Sequence, residues 1–283
     1  MTKIIADSTC DLSKDLLEKY DIDILPLHIL LGEEEYLDGV NITPKEIFAW
    51  SDANKTTPKT SAIGMNGPIE LFQTYVDAGQ EVVCFSISDE MSTTGNIMRM
   101  AVEEMEARDK VKIVNSANLS TGIGLMVIEA AIMAKKGESA QAIADRMEEL
   151  KPLVRASFVV DTLVYLYRGG RCSGLAAMAG GALKLHPRII VEEGKMKPGK
   201  KYRGNMNKVV MDYVKDMEES LKQAKRDRVF ITHSGCDKEL VNEVRDYLTS
   251  MNHFDEILET VAGGVISSHC GPGTLGVLFI EGK

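Results

Sequence analysis

Near its C-terminal end the 283-residue chain reads Gly264-Val265-Ile266-Ser267-Ser268-His269-Cys270-Gly271-Pro272-Gly273-Thr274-Leu275-Gly276, one histidine beside two hydroxyls and a glycine-rich turn. Histidine titrates near neutral pH, and with serine or threonine about it the ring either takes a proton or helps to hold a small anion. A tight loop bearing a surface histidine would look the same in isolation. What points to a site is that the hydroxyls recur upstream: Asp7-Ser8-Thr9, Thr60-Ser61, Ser92-Thr93-Thr94 and Ser116 to Thr121.

The elements that carry those hydroxyls alternate. Short apolar strands are expected at Lys3 to Ala6, Ile22 to Leu31, Glu81 to Ile87 and Val111 to Val114. Helices are expected over Leu12 to Tyr20, about Thr43 to Ser51, Pro68 to Ala78, from Gly95 through Ala107, and over Gly122 to Lys135 and Ala140 to Leu150. Thr43-Pro44 with Glu46 three on spells a capping box. Gly32 to Asn41 and Lys55 to Ala62 read as loops, the first acidic and the second rich in hydroxyls. Alternating βα units imply a parallel sheet with helices on both faces, and in such sheets ligands sit beyond the carboxyl ends of the strands, where helix N-termini point free N–H groups. The turns after Ala6, Ile87 and Val114 offer Ser or Thr and no Lys or Arg. Capping alone accounts for any one of them; the set suits a ligand with one modest negative charge, such as a carboxylate.

Composition narrows the classes. Thirty-three basic against 42 acidic residues leave a net charge of −9, which argues against nucleic-acid binding through phosphates. Five separated cysteines without a CxxC suggest neither a disulfide framework nor a thiolate zinc site, and no carboxylate stands at ligand spacing from the other histidines, so no metal is expected. No GxxxxGK[ST] loop occurs, and Gly271 to Gly276 spells GxGxxG leading into a strand, so no nucleotide cofactor is expected. The N-terminus enters a strand pattern directly and no apolar run approaches the roughly 18 residues that span a bilayer, which predicts a cytoplasmic protein.

Length suggests two domains, and Lys151-Pro152 marks a boundary, giving residues 1–151 and 152–283. The first reads as a three-layer α/β/α domain on a parallel sheet, the second as a two-layer α/β domain on a mixed sheet. In the second, strands are expected at Leu153 to Val160, Val229 to His233, Ile257 to Val261 and Thr274 to Ile280, with a hairpin of Leu185 to Glu192 and Lys195 to Arg203 about Glu193-Gly194. Helices are expected at Gly174 to Leu183, Asn205 to Ala224 and Lys238 to Ser250. Lys195, Lys197, Lys200, Lys201 and Arg203 make the hairpin basic: a solvated face, or a docking surface for a partner or an anionic membrane.

In order along the chain, Ile5-Ala6-Asp7-Ser8-Thr9, Asp38-Gly39, Thr60-Ser61, Met91-Ser92-Thr93-Thr94, Asp161 to Leu166, Arg168-Gly169-Gly170-Arg171 and His269-Cys270-Gly271-Pro272-Gly273 resemble the DegV family. The resemblance spans essentially the whole chain. It implies two α/β domains, a bound long-chain fatty acid, and service as the non-catalytic binding subunit of a bacterial fatty-acid kinase. It also implies that the carboxylate meets Thr60, Ser92 and His269, with Ser61, Thr93, Ser120 and Gly271 about it, and that Arg171 with Arg203 faces the kinase. Departures from the family pattern are Thr93 for a glycine, Ile63 for a proline, His186 for a lysine and Asn115 for an acid. Two other classes fit the same residues: a hydrolase with His269 as base and Ser92 or Ser268 as nucleophile, though no G-x-S-x-G elbow is present, and a binder of a phosphorylated metabolite.

Overall fold

A computed structural model describes residues 1–171 and 185–282. The first half builds β1 (Thr2–Asp7), α1 (Lys14–Tyr20), β2 (Ile22–Leu25), β3 (His28–Leu31), β4 (Glu34–Leu37), α2 (Pro44–Asn54), β5 (Lys59–Ser61), α3 (Asn66–Asp77), β6 (Glu81–Ser86), α4 (Thr94–Glu104), β7 (Val111–Asn115), α5 (Thr121–Lys135) and α6 (Ala140–Leu150). The second half adds β8 (Val154–Val159), α7 (Val164–Gly169), β9 (Leu185–Glu192), β10 (Lys195–Arg203), α8 (Met206–Asp216), α9 (Glu218–Lys222), β11 (Ala224–Ser234), α10 (Lys238–Ser250), β12 (Glu256–Val261), α11 (Gly264–Cys270) and β13 (Thr274–Glu281).

Three sheets organise these elements. β2-β1-β6-β7 is parallel throughout, as the βα alternation implies. β10-β9-β8-β13-β11-β12 is mixed, its one parallel pair being β11 with β12. The third, β4-β3-β5, is antiparallel and departs from the expected pattern. Pro26 has no N–H for a ladder, so the apolar run from Ile22 breaks into two strands. The second of these turns back through Gly32 to pair with β4, inside the segment expected as acidic loop. Thr60 and Ser61 lie in a strand of three residues, too short for periodicity to reveal.

The sheets stack through shared helices. α3 and α4 bury Phe72, Met98 and Val102 on one face of the parallel sheet; α5 and α6 cover the other. α5 is apolar on every side and buried almost throughout, because its far side packs on Ala156, Phe158 and Leu278 of the mixed sheet. Its one acid, Glu129, is met by Arg228 and by Lys225 at 2.8 Å, both on β11, and its other charge, Lys135, stands in the last turn. α8, α9 and α10 close the opposite face of the mixed sheet around Tyr213, Val244 and Leu248.

Local chemistry explains other boundaries. Thr43 Oγ1 accepts from the Glu46 N–H while Glu46 Oε2 accepts from the Thr43 N–H, completing the expected capping box. Glu193 and Gly194 both take positive φ, as a two-residue hairpin turn requires. The helix expected over Asn205 to Ala224 is two, interrupted at Met217, and Ala224 already belongs to β11. Ser13 caps α1, its side chain accepting from the Leu16 N–H. The helix expected at Gly174 to Leu183 lies outside the described residues. No helix among the described residues is long and apolar enough to cross a membrane.

Candidate functional site

His269 is carried by α11, where the sequence reading placed a loop. The helix forms because its free N–H groups meet carboxylates from far along the chain: the Gly263 N–H donates to Asp11 Oδ1 at 2.8 Å and the Gly264 N–H to Asp38 Oδ1 at 2.6 Å. Gly264 lets the helix press close, since a Cβ there would stand 2.6 Å from Ile29 Cδ1 and 2.8 Å from Ile47 Cδ1 and both side chains would have to shift. The turn after the helix opens with Gly271 at φ 78°, its backbone lying against the ring of Tyr165.

At the other end of α11, His269 Nε2 and Thr60 Oγ1 are 2.8 Å apart. Nδ1 is buried with no hydrogen-bond partner among the described residues, and Gly169 packs so closely that a Cβ on it would sit 2.4 Å from that nitrogen. Burial, with Arg171 close by, lowers the imidazole's pKa to about 4, so the ring is neutral at physiological pH. One tautomer carries the proton on Nε2 and donates it to Thr60, which frees the Thr60 O–H for another acceptor.

These two residues face a cavity of about 50 Å³ whose wall also includes Ser61, Ser92, Arg171 and Met196. Ser92 Oγ lies 2.9 Å from Thr94 Oγ1 and accepts the Thr94 N–H, which sets it at the start of α4. Behind Leu119, Ile266 and Cys270 lies a second, wholly apolar cavity of about 20 Å³, reaching Phe158 and Leu278. A largely apolar chamber that carries hydroxyls, an imidazole and a guanidinium on its wall thus backs onto one with no exposed polar surface, with three side chains between them. Larger grooves of about 510 and 410 Å³ lie on the surface beside Tyr20 and along β7.

Thr60, Ser61, Ser92, His269 and Arg171 therefore meet at one cavity. The other expected site residues do not line it. Thr93 points to solvent ahead of α4, so the side chain gained over the family's glycine stays outside the chamber. Ser120 lines the inner cavity, Gly271 abuts Tyr165, and Arg203 is exposed on β10. Of the basic hairpin, Lys195 is paired with Glu90, Lys197 with Glu192 and Lys200 with Asp216, which neutralises much of that face.

Sequence reading missed the acids. Asp7, Asp11 and Asp38 are buried, and no basic residue is among the partners they bond. Asp7 accepts N–H groups of Thr9 at 3.0 Å and Ile87 at 2.7 Å; burial outweighs these bonds and lifts its pKa to about 6. Burial likewise holds Asp11 well above the usual carboxylate range and raises Asp38. The available signal was an Asp7-to-Asp11 run with no basic residue beside it. No group of His, Cys, Asp and Glu suited to a metal ion occurs among the described residues.

A model of the DegV family, described as an uncharacterised protein family, matches residues 1–282. A DegV domain-containing protein of Clostridium perfringens is 31% identical, over 99% of this chain and 98% of its own. A fatty-acid-binding DegV protein of Thermus thermophilus superposes with a TM-score of 0.90 at 29% identity, covering 99% of both chains. A stearic-acid-binding protein of Eubacterium ventriosum superposes at 0.86 with 31% identity, covering 99% of this chain and 98% of its own.

Proposed function

Because this chain belongs to the DegV family, we propose that it binds a long-chain fatty acid and presents the carboxylate to a separate fatty-acid kinase, without being a catalyst itself. The observation that carries the reading is the Thr60–His269 pair, which joins the two halves of the chain on the wall of a cavity that also holds Ser92 and Arg171 and is backed by an apolar one. With Nε2–H donating to Thr60, the Thr60 and Ser92 hydroxyls are left to donate to a carboxylate. A buried acid without such partners would protonate or be expelled. Arg171 at the rim places one fixed positive charge where the head group would sit.

Energetics divide the labour. Each buried methylene contributes roughly 0.8 kcal/mol, so a tail of about 15 supplies on the order of 12 kcal/mol before association costs. Each hydrogen bond to the charged head contributes only about 1.5 to 3 kcal/mol. The tail sets affinity; Thr60, Ser92 and His269 set orientation. The cavities fall far short of the roughly 300 Å³ at which ligand pockets begin, so the apolar one must widen as a chain enters.

A hydrolase reading finds less support. His269 Nε2 bonds Thr60, while Ser268 Oγ donates to the Gly264 carbonyl and Ser92 pairs with Thr94, so neither candidate serine is hydrogen-bonded to the base. Arg171, beside the exposed Val164 and Tyr167 of α7, is the surface we assign to the kinase. Native mass spectrometry with organic extraction tests the binding: a fatty acid is expected at one per chain, and a lipid-free protein that fails to take up added hexadecanoate would sink the proposal. Arg171→Glu sets a negative charge beside the head group, so it is expected to bind hexadecanoate more weakly in calorimetry and, even at saturating lipid, to lose kinase-dependent phosphorylation.

A further inference from the structure

The partition between the two cavities has two leaves. One is Leu119, on the segment that leads into α5; the other is Ile266 and Cys270, on α11. A single side chain reaches both. Asp11 Oδ2 accepts from Ser120 Oγ at 2.5 Å, next to Leu119, and Asp11 Oδ1 accepts from the Gly263 N–H at 2.8 Å, at the head of α11. We infer that Asp11 is the latch of this partition, a positioning residue that ties its two leaves together and so governs passage of an acyl chain from the outer cavity to the inner one.

Three observations support the assignment. Ser120 is held at φ 54°, ψ −145°, a conformation costly for any residue but glycine, and such strain persists only where surrounding contacts enforce it. The Ser120–Asp11 bond is the side-chain contact that does so. Thr121, the next residue, is fixed to β11 through Thr232 Oγ1 at 2.6 Å, so release of Ser120 would move the Leu119 side of the joint and leave α5 in place. Asp38, in contrast, bonds Gly264 and Ser8 and secures only the α11 leaf.

The inference rests on the fatty-acid reading for its purpose, and its test separates the two. Entry and exit rates of hexadecanoate are measured by stopped flow for the full chain and for Asp11→Ala, Ser120→Ala and Asp11→Asn. A latch slows both directions, so untying it with Asp11→Ala is expected to raise kon and koff together by about tenfold, the worth of one buried hydrogen bond, with Kd little changed. Asn retains a partner for both Ser120 and Gly263, and Asp11→Asn is expected to restore rates near the original. A rise in koff alone, or no change in either rate, overturns the inference. If Asp11→Ala does not fold, Ser120→Ala, which unties the Leu119 leaf alone, carries the same expectation. If the wild type binds no hexadecanoate, the functional reading fails and amide hydrogen exchange of the ligand-free protein decides: residues 119–122 and 263–266 are expected to exchange faster together in Asp11→Ala, and loosening of one segment without the other refutes the latch.

Discussion

The two ends of α11 solve one problem in two ways. At its N-terminal end the protein buries its own carboxyl groups, Asp11 and Asp38, among backbone N–H groups and serine hydroxyls, with no basic residue bonded to them. At its C-terminal end it holds hydroxyls and a neutral imidazole around a cavity, with one guanidinium at the rim. The first end demonstrates that neutral donors suffice to keep a carboxyl group out of water in this fold. On the proposed function, the second end offers the same kind of donors to a carboxylate from outside. What differs is permanence: the inner acids are part of the fold's support, whereas the outer donors are free to exchange partners.

The largest expected effect tests that permanence. Asp38→Ala strands the Gly264 N–H and the Ser8 hydroxyl in the interior and should destabilise the protein by about 4 kcal/mol, read as a lower denaturation midpoint in guanidinium. His269→Ala should do the reverse, costing little stability while weakening fatty-acid binding about 10- to 100-fold, the worth of one bond to a charged head group, as measured by calorimetry.

A buried acid near the first end and the buried histidine of the second also oppose each other in pH. The raised pKa of Asp7, about 6 against 3.8, contributes stability at low pH that is lost as pH rises through 6. The lowered pKa of His269, about 4 against 6.5, contributes stability above 6.5 that is lost as pH falls toward 4. In the wild type the two slopes partly cancel. His269→Gln leaves the acids alone, so its unfolding free energy should fall more steeply from pH 4.5 to 6.5 than the wild type's, by on the order of 2 kcal/mol across that window. The smallest effect is a control on charge itself: Lys14 and Glu18, paired at 3.8 Å on the exposed face of α1, should contribute less than about 0.5 kcal/mol when Lys14→Ala is unfolded in parallel.

Elements whose cause is local were legible in the sequence. The capping box at Thr43 and Glu46, the Glu193-Gly194 turn and the alternation that yields a parallel sheet all depend on neighbours within a few residues. α11 was not legible, because its N-terminal partners stand 252 and 226 positions away and its Gly263-Gly264 pair reads as a loop until Ile29, Ile47 and Asp38 are seen pressed against it. For the same reason the hydroxyls and the histidine were recognised as a set, yet which of them share a cavity was not. Thr93 and Ser120 differ from Ser92 and Thr60 only in where the chain aims them.

The oily helix α5, wedged between two sheets with its one acid paired to β11, has a consequence for any attempt to divide the molecule. Expressed without the second half, residues 1–151 would present Ile123, Val127 and their neighbours to water along a full flank; expressed without the first, the mixed sheet would present Phe158 and Leu278. Each fragment is therefore expected to precipitate or cling to chaperones when made by itself and to become soluble when the two are co-expressed, which makes this chain a poor donor of interchangeable modules.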